Sequence, residues 1–450
     1  MCARCARPRE LNCRLTIADH HARAQPGKWR TFLGAAAVLI AFVVLCQARF
    51  WRPDELFTIT ENIQIGEAQS WWMGRLDLPE RKWDSALFKG RAYSHFPPMF
   101  SFIAATAVPF FDGVPHWFIV LVIVLPVPLL AYALFLRRTG SAAWGAVLAI
   151  GFVCGTSVLP VLDKTLRGSG PYFVNQTLAT AGILLFLCEF FGRRRVWLAA
   201  VGVATAALSR QLSIAYLIPL GWLALTPGDA DRNPKPERKR RAKTPRWRLG
   251  FGGGAAVVLG MFLVVAAVPM TLNALKFGHP LDSGYMRIYE GREDDPFVRD
   301  ARAFGLFSPH YLARNLRYAN IGVPEVHDIE MAGRREVYLR PNPWGTGIWW
   351  TTPLLLFLFV DARRLLGDRS NQVLLVAAGI IYLALMLYHS TGYEQRGFNR
   401  YSLDYVPALL ALIAPGCLET LWRRWLTAGV VAWSVLYFAV LLPRPNIRIW

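Results

Sequence analysis

The chain has 450 residues, 54% of them hydrophobic, with 17 Trp and 27 Phe. A soluble globule of this length needs a more polar surface, so much of the apolar content is expected to face lipid. The formal net charge of +20 would suggest nucleic acid for a soluble chain. Here just over half of the Lys and Arg lie in short islands between apolar runs, as cytoplasmic loops do, so no nucleic-acid partner is expected.

Residues 1–30 read as a cytoplasmic tail. Its Cys2, Cys5, Cys13, His20 and His21 lack the second close pair of a zinc knuckle and read as reduced thiols. Residues 31–48 form the first apolar run, long enough to cross a ~30 Å hydrocarbon core and without a small-residue cleavage site, hence an anchor. A first external loop over 49–115 follows. Within it, 99–111 is too short to cross and reads as a juxtamembrane or re-entrant helix. Residues 116–136 return to Arg137 and Arg138. The run 142–159 goes out again, 161–175 forms a second external loop, and 176–191 comes back to the basic island 193–195.

Residues 196–225 are apolar but basic at both flanks. One long tilted helix would carry the basic loop 226–249 to the wrong side, whereas a hairpin turning at Ser209-Arg210-Gln211 keeps it cytoplasmic. The span 250–270 completes the segment 116–270 and leads into a large external cap over 271–345, which carries many Tyr, Pro and Asn. In the C-terminal segment 346–450, spans over 346–360, 371–388, 403–417 and 425–442 complete the pattern, with 389–400 external. The expectation is an all-α polytopic membrane protein of about eleven transmembrane helices with two large external loops. Cys46, Cys154, Cys188 and Cys417 fall in or beside spans as small apolar fillers.

Chemistry is sought on the external side. Asp54 and Glu55 follow the first span directly. A carboxylate at a water–lipid boundary is partly desolvated and more basic, which suits it to take a proton from a hydroxyl. The plainer alternative is an Asp that caps the following helix, with Pro53 ending the span. Tyr93 and His95 stand in the proline-stiffened segment Gly90-Arg91-Ala92-Tyr93-Ser94-His95-Phe96-Pro97-Pro98. Asp163 lies in the second external loop, Arg210 at the hairpin turn, Lys276 and Asp282 in the cap, and Arg396 and Arg400 in the last external loop. External cations at membrane depth run against the charge rule, so they neutralise either a bound anion or a structural carboxylate.

The acid pair after the first span, the Gly-x-x-Tyr-x-x-x-Pro-Pro segment from Gly90 to Pro98, the second external loop with its Asp163 and the span count together resemble the GT-C membrane glycosyltransferases. That class includes protein O-mannosyltransferases, aminoarabinose transferases and oligosaccharyltransferase catalytic subunits. Pro280 to Tyr285 and Arg396 to Tyr401 are similar to segments of its bacterial members. The resemblance implies transfer of a sugar from a polyprenyl-phosphate donor to a glycan, lipid or protein acceptor at the external face of the cytoplasmic membrane. Asp54 matches the family's first-loop aspartate, which orients or deprotonates the acceptor hydroxyl in an inverting displacement, with Glu55 supporting it. Arg210, Lys276, Arg396 and Arg400 are candidates to offset charge on the leaving phosphate, and Tyr93 and His95 to line the sugar or acceptor site. Asp163 lies near where some relatives carry a second, metal-binding acid. No Asp-x-Asp or Asp-x-Glu stands in that loop, so neither a metal nor another cofactor is expected. The competing class is a transporter or flippase, marked by ionisable groups within spans, matched broken helices and an internal repeat. Here charges cluster at span ends, with Arg210 the main exception.

Overall fold

A computed structural model describes residues 27–47, 57–167, 170–226, 251–290, 292, 294–331, 334–342, 344–391, 397–443 and 447–448. The tail cysteines, Asp54, Glu55, Arg396 and the basic loop from residue 227 onwards lie outside the described residues. The helices that organise the molecule are α1 (Lys28–Gln47), α2 (Ile63–Trp72), α3 (Met99–Ala105), α4 (His116–Thr139), α5 (Ala142–Cys154), α6 (Val158–Leu166) and α7 (Pro171–Phe190). They continue with α8 (Val196–Ser209), α9 (Gln211–Leu225), α10 (Phe251–Phe277), α11 (Arg369–Leu387), α12 (Val406–Ile413) and α13 (Leu421–Leu441).

Against the expectation of about eleven spans, six helices among the described residues are long and apolar enough to cross a membrane, namely α1, α4, α7, α10, α11 and α13. The α5–α6 pair bends by 64° and makes a seventh if counted as one span. Residues 346–360 instead form three short turns, Ile348–Thr351, Pro353–Leu356 and Phe357–Val360. Residues 403–417 reduce to the eight-residue α12 between 3-10 turns. Proline contributes to both, because Pro353, Pro407 and Pro415 each lack a backbone donor and are confined to the first turn of a helix or to its outside.

Helix α7 is the axis of the bundle. Pro171 pre-sets its first turn, no charge appears before Glu189, and it is buried over most of its length. It packs on α8 through two glycines. A Cβ on Gly182 would stand 2.5 Å from the Gly202 carbonyl oxygen, and one on Gly202 would stand 2.7 Å from that of Gly182. Small residues let two backbones touch where lipid gives no hydrophobic drive for association. At Arg210 the backbone turns extended between α8 and α9. Arg194, ahead of α8, donates to Thr226 Oγ1 beyond α9 at 2.7 Å, so 196–225 runs out and back as a hairpin. The long α10 passes through Pro269 to Phe277, seven residues beyond the expected boundary, and is little covered by protein. Cys46, Cys154, Cys188 and Cys417 are buried.

The two ends of α7 differ in chemistry. At its C-terminal end Arg137 donates to the Cys188 carbonyl, Arg138 donates to Ala411 O at 2.8 Å, and Arg195 pairs with Glu189 at 2.6 Å. Asp361 there takes Arg364 at 2.6 Å and Arg423 at 2.9 Å. Four of the sequence's basic islands therefore meet at one end. The other end carries irregular structure. β1 (Ile59–Thr60) pairs with β4 (Val114–Pro115), and β2 (Ala86–Phe88) with β3 (Arg91–Tyr93). Further on, β5 (Glu325–Met331), β6 (Arg334–Arg340) and β7 (Ile447–Arg448) form an antiparallel sheet of three strands. A satellite core of Ala86, Phe277, Ile288, Tyr289 and Val298 fastens the first loop to the cap.

Candidate functional site

At the N-terminal end of α7 lies a cavity of about 180 Å³. Its walls come from the first loop (His95, Phe96, Pro97), the start of α7 (Tyr172, Asn175), the α8–α9 break (Ser209 to Leu212), the cap (Ser283, Tyr285, Leu306, Phe307), the end of α11 (Leu385, Tyr388) and Tyr401. Each of these segments falls on the side that the charge pattern assigns to the exterior.

Two guanidiniums dominate its electrostatics. Arg210 donates from Nη2 to Asp404 Oδ2 at 2.9 Å, and Asp404, fully buried, also accepts from Gln176 Nε2 at 2.8 Å. Arg400 makes no ion pair among the described residues. It donates from Nη2 to the Tyr401 hydroxyl at 3.1 Å, which also shares a hydrogen bond with Ser390 Oγ at 2.9 Å. Arg210 and Arg400 stand 4.8 and 4.9 Å from the centroid of the Tyr401 ring, and Arg400 also stands 5.1 Å from that of Tyr172. Arg210 is matched by Asp404, whereas Arg400 is held over aromatic rings and interacts with the Asp84 carboxylate behind Tyr172, in surroundings that screen charge poorly.

His95 lies between Phe96, centroids 4.1 Å apart, and Tyr285 at 5.5 Å. Burial drives its imidazole down to about 3, against the Asp84 carbonyl, which favours the proton, and together with Lys276, which repels it. His95 is therefore neutral near physiological pH, with one nitrogen able to donate and the other to accept. Behind Tyr172 stands Asp84, whose Oδ2 accepts from the Tyr172 hydroxyl at 3.1 Å. Its φ of 67° is left-handed. Burial raises its carboxyl above the usual range, while Tyr172, Arg292 and Arg400 pull the other way.

The remaining sequence candidates lie elsewhere. Lys276, on the last turn of α10, is buried against Glu67 and donates to Ser94 O at 3.0 Å, while Ser101 donates to Glu67 at 2.5 Å. Glu67 thus holds its charge and keeps it out of the cavity. Tyr93 pairs in register with Ala86 and packs its ring 5.6 Å from Phe277, in the satellite core. Asp282 closes a turn by accepting from Gly284 N at 2.9 Å and pairs with Arg287 at 2.7 Å. Asp163, on α6, has Arg167 at 3.6 Å and does not line the cavity. Among the described residues, no three His, Cys, Asp or Glu side chains are grouped to hold a metal ion.

The structure thus brings His95 and Arg210 into the cavity wall and Arg400 against it. Sequence reading misses Asp84, Tyr172 and Asp404. Only Asp404 carried a signal, an acid opening an otherwise apolar run at the level of the external arginines.

No family model matches the chain, and no curated protein does. Solved structures similar to it include the Archaeoglobus fulgidus oligosaccharyltransferase in its apo form, with a TM-score of 0.47 and 14% identity, covering 92% of this chain and 56% of that one. Another is archaeal AglB from the same organism with an inhibitory peptide and a dolichol-phosphate, with a TM-score of 0.46 and 13% identity, again covering 92% and 56%. A third, tethered to an acceptor peptide containing the NVT sequon, gives a TM-score of 0.47 and 13% identity, covering 92% and 55%. This chain spans a little over half the length of these proteins.

Proposed function

We propose that the protein is a membrane glycosyltransferase of the GT-C type that takes a sugar from a polyprenyl-phosphate donor and passes it, with inversion, to an acceptor at the external face. The observation that carries this reading is the pair of buried guanidiniums, Arg210 held by Asp404 and Arg400 held over Tyr401 and Tyr172, beside a cavity walled by the first loop, the start of α7, the α8–α9 break and the cap. In the reaction the acceptor hydroxyl gives its proton to a carboxylate while its oxygen bonds the anomeric carbon. The bond from that carbon to the phosphate oxygen breaks, and the phosphate leaves with the electron pair. Fixed guanidiniums stabilise that growing charge without having to reorganise. Asp54 is the proposed base, with Glu55 beside it, and neutral His95 can hydrogen-bond a sugar hydroxyl in either sense.

The test is release of polyprenyl phosphate from a panel of polyprenyl-phosphate sugars by the purified protein with native membrane acceptors. Arg400→Gln is expected to slow release by about 10²–10³-fold, the usual loss of one transition-state donor. Asp54→Asn is expected to lose about 10²–10⁴-fold, as removal of a general base does. Equal release by wild type and Asp54→Asn removes Asp54 from its role while keeping the enzyme.

One observation favours a transporter as the second reading. The bent α5–α6 pair and the α8–α9 break at Arg210 are interrupted helices, and such breaks line substrate paths in transporters. Movement of a lipid-linked substrate across a bilayer without release of polyprenyl phosphate would decide for it.

A further inference from the structure

A second opening lies back to back with the cavity. It is a cleft of about 660 Å³, within the ~300–1,000 Å³ of small-molecule sites, between the β2–β3 hairpin and the cap turn at residues 285–290. Strand β3 forms the partition, with Ala92 lining the cleft and His95, three residues on, lining the cavity. Three extended residues span about 10 Å. On the cap side, Tyr285 faces the cavity and Arg287 the cleft.

The cleft is built for an anion. Its charged lining is Arg81, Lys89, Arg91 and Arg287 against Asp77 and Glu290, with Arg287 also paired to Asp282 at 2.7 Å from outside the lining. Asp77 is already engaged by Arg75 at 2.6 Å and by Arg91 at 3.8 Å. Arg81 and Lys89 make no ion pair among the described residues. Arg287 lies 4.5 Å over the Phe88 ring, which fixes its plane, and its Nε is buried without a hydrogen-bond partner. Lys89 and Gly90 both sit at positive φ, 50° and 77°, so a lysine occupies a backbone position that favours glycine or asparagine.

We propose that this cleft binds the acceptor, and that the acceptor is an oligosaccharide bearing carboxylate or phosphate groups. The word acceptor rests on the transferase reading, whereas the anionic-glycan site does not. Guanidinium forks match planar carboxylates and phosphates, and the floor of Leu78, Leu87 and Ala92 suits the apolar face of a sugar ring. An acidic peptide fits less well, since strand addition needs a longer free edge than the three residues of β2 or β3. A chain lying in the cleft has its end at the partition, one residue triplet from His95.

The test is binding of a short oligogalacturonide to the full chain in nanodiscs of zwitterionic lipid, followed by calorimetry. A neutral cello-oligosaccharide of equal length and a polyglutamate of equal charge serve as comparisons. Oligogalacturonide is expected to bind at least about tenfold more tightly than either, with an affinity that falls as salt rises. The triple variant Arg81→Gln/Lys89→Gln/Arg91→Gln, and Lys89→Glu alone, are expected to weaken it about tenfold or more, while Arg400→Gln, on the other cavity, leaves it unchanged. Equal binding of polyglutamate overturns the proposal in favour of an acidic peptide. Unchanged binding in the triple variant, or no binding by wild type, also overturns it. Binding that persists in a protein that releases no polyprenyl phosphate from any donor keeps the anionic-glycan site and rejects the transferase.

Discussion

His95 and His389 are both held neutral, and this couples the stability of the site to acidity. Burial takes His95 from 6.5 to about 3 and His389 to about 4, with Lys276 and Arg314 respectively adding repulsion. A depressed folded value means that the unfolded chain binds protons first as pH falls. The stabilisation is therefore complete above 6.5 and is lost progressively from 6.5 down towards the folded values. Thermal unfolding followed by Trp fluorescence between pH ~7 and ~4.5 should show the difference between wild type and His95→Gln shrinking steadily on acidification. A difference independent of pH sinks the assignment. His95 was legible because two prolines follow it and fix its segment as a rigid approach to the membrane. Asp84 and Tyr172 were not. A single acid in an irregular loop has no periodicity, and its phenol partner is 88 residues away. Lys276 was misplaced for a related reason, since Thr271, Asn273 and Lys276 give the end of α10 a polar look while the backbone stays helical through Phe277.

Between elements, the Glu67–Lys276 pair joins α2 of the first loop to the end of α10. Glu67 is fully buried and Lys276 nearly so. Removing one partner strands the other charge, whereas removing both leaves a dry contact, so the two experiments differ in size. Lys276→Met is expected to cost about 3–5 kcal/mol, and Glu67→Gln/Lys276→Met to regain most of it. A double variant as unstable as the single one would show that the pair itself, not the stranded charge, carries the stability. Its two members are 209 residues apart, so no local pattern announces the pair. The hairpin at 196–225 was legible from the charges flanking it, a constraint that acts over the whole segment. The lengths of 346–360 and 403–417 were misjudged because mean hydropathy averages over a window and does not register where Pro353, Pro407 and Pro415 withhold a backbone donor.

At the scale of the whole molecule, charge divides the bundle into a basic end and a cavity end, separated by the 20 residues of α7, or about 30 Å of helix. That length matches the hydrocarbon core of a bilayer. If positive loops stay cytoplasmic, the cavity and the cation-lined cleft both open outside, where lipid-linked sugars and extracellular glycans meet. Cysteine labelling tests the orientation directly. In a background with Cys2, Cys5 and Cys13 replaced by Ser, the buried Cys46, Cys154, Cys188 and Cys417 should stay silent towards a membrane-impermeant maleimide. Lys89→Cys, on the rim of the cleft, is then expected to label in intact cells, and Arg424→Cys, at the basic end, only after permeabilisation. The reverse pattern would put both openings in the cytoplasm. The guanidiniums of Arg210 and Arg400 would then face an anion delivered from inside, and a polyprenyl-phosphate sugar presented at the outer face could not reach them. Labelling of both positions in intact cells is incompatible with the charge rule and with α7 as a single crossing, because one 30 Å helix cannot leave both of its ends on the same side.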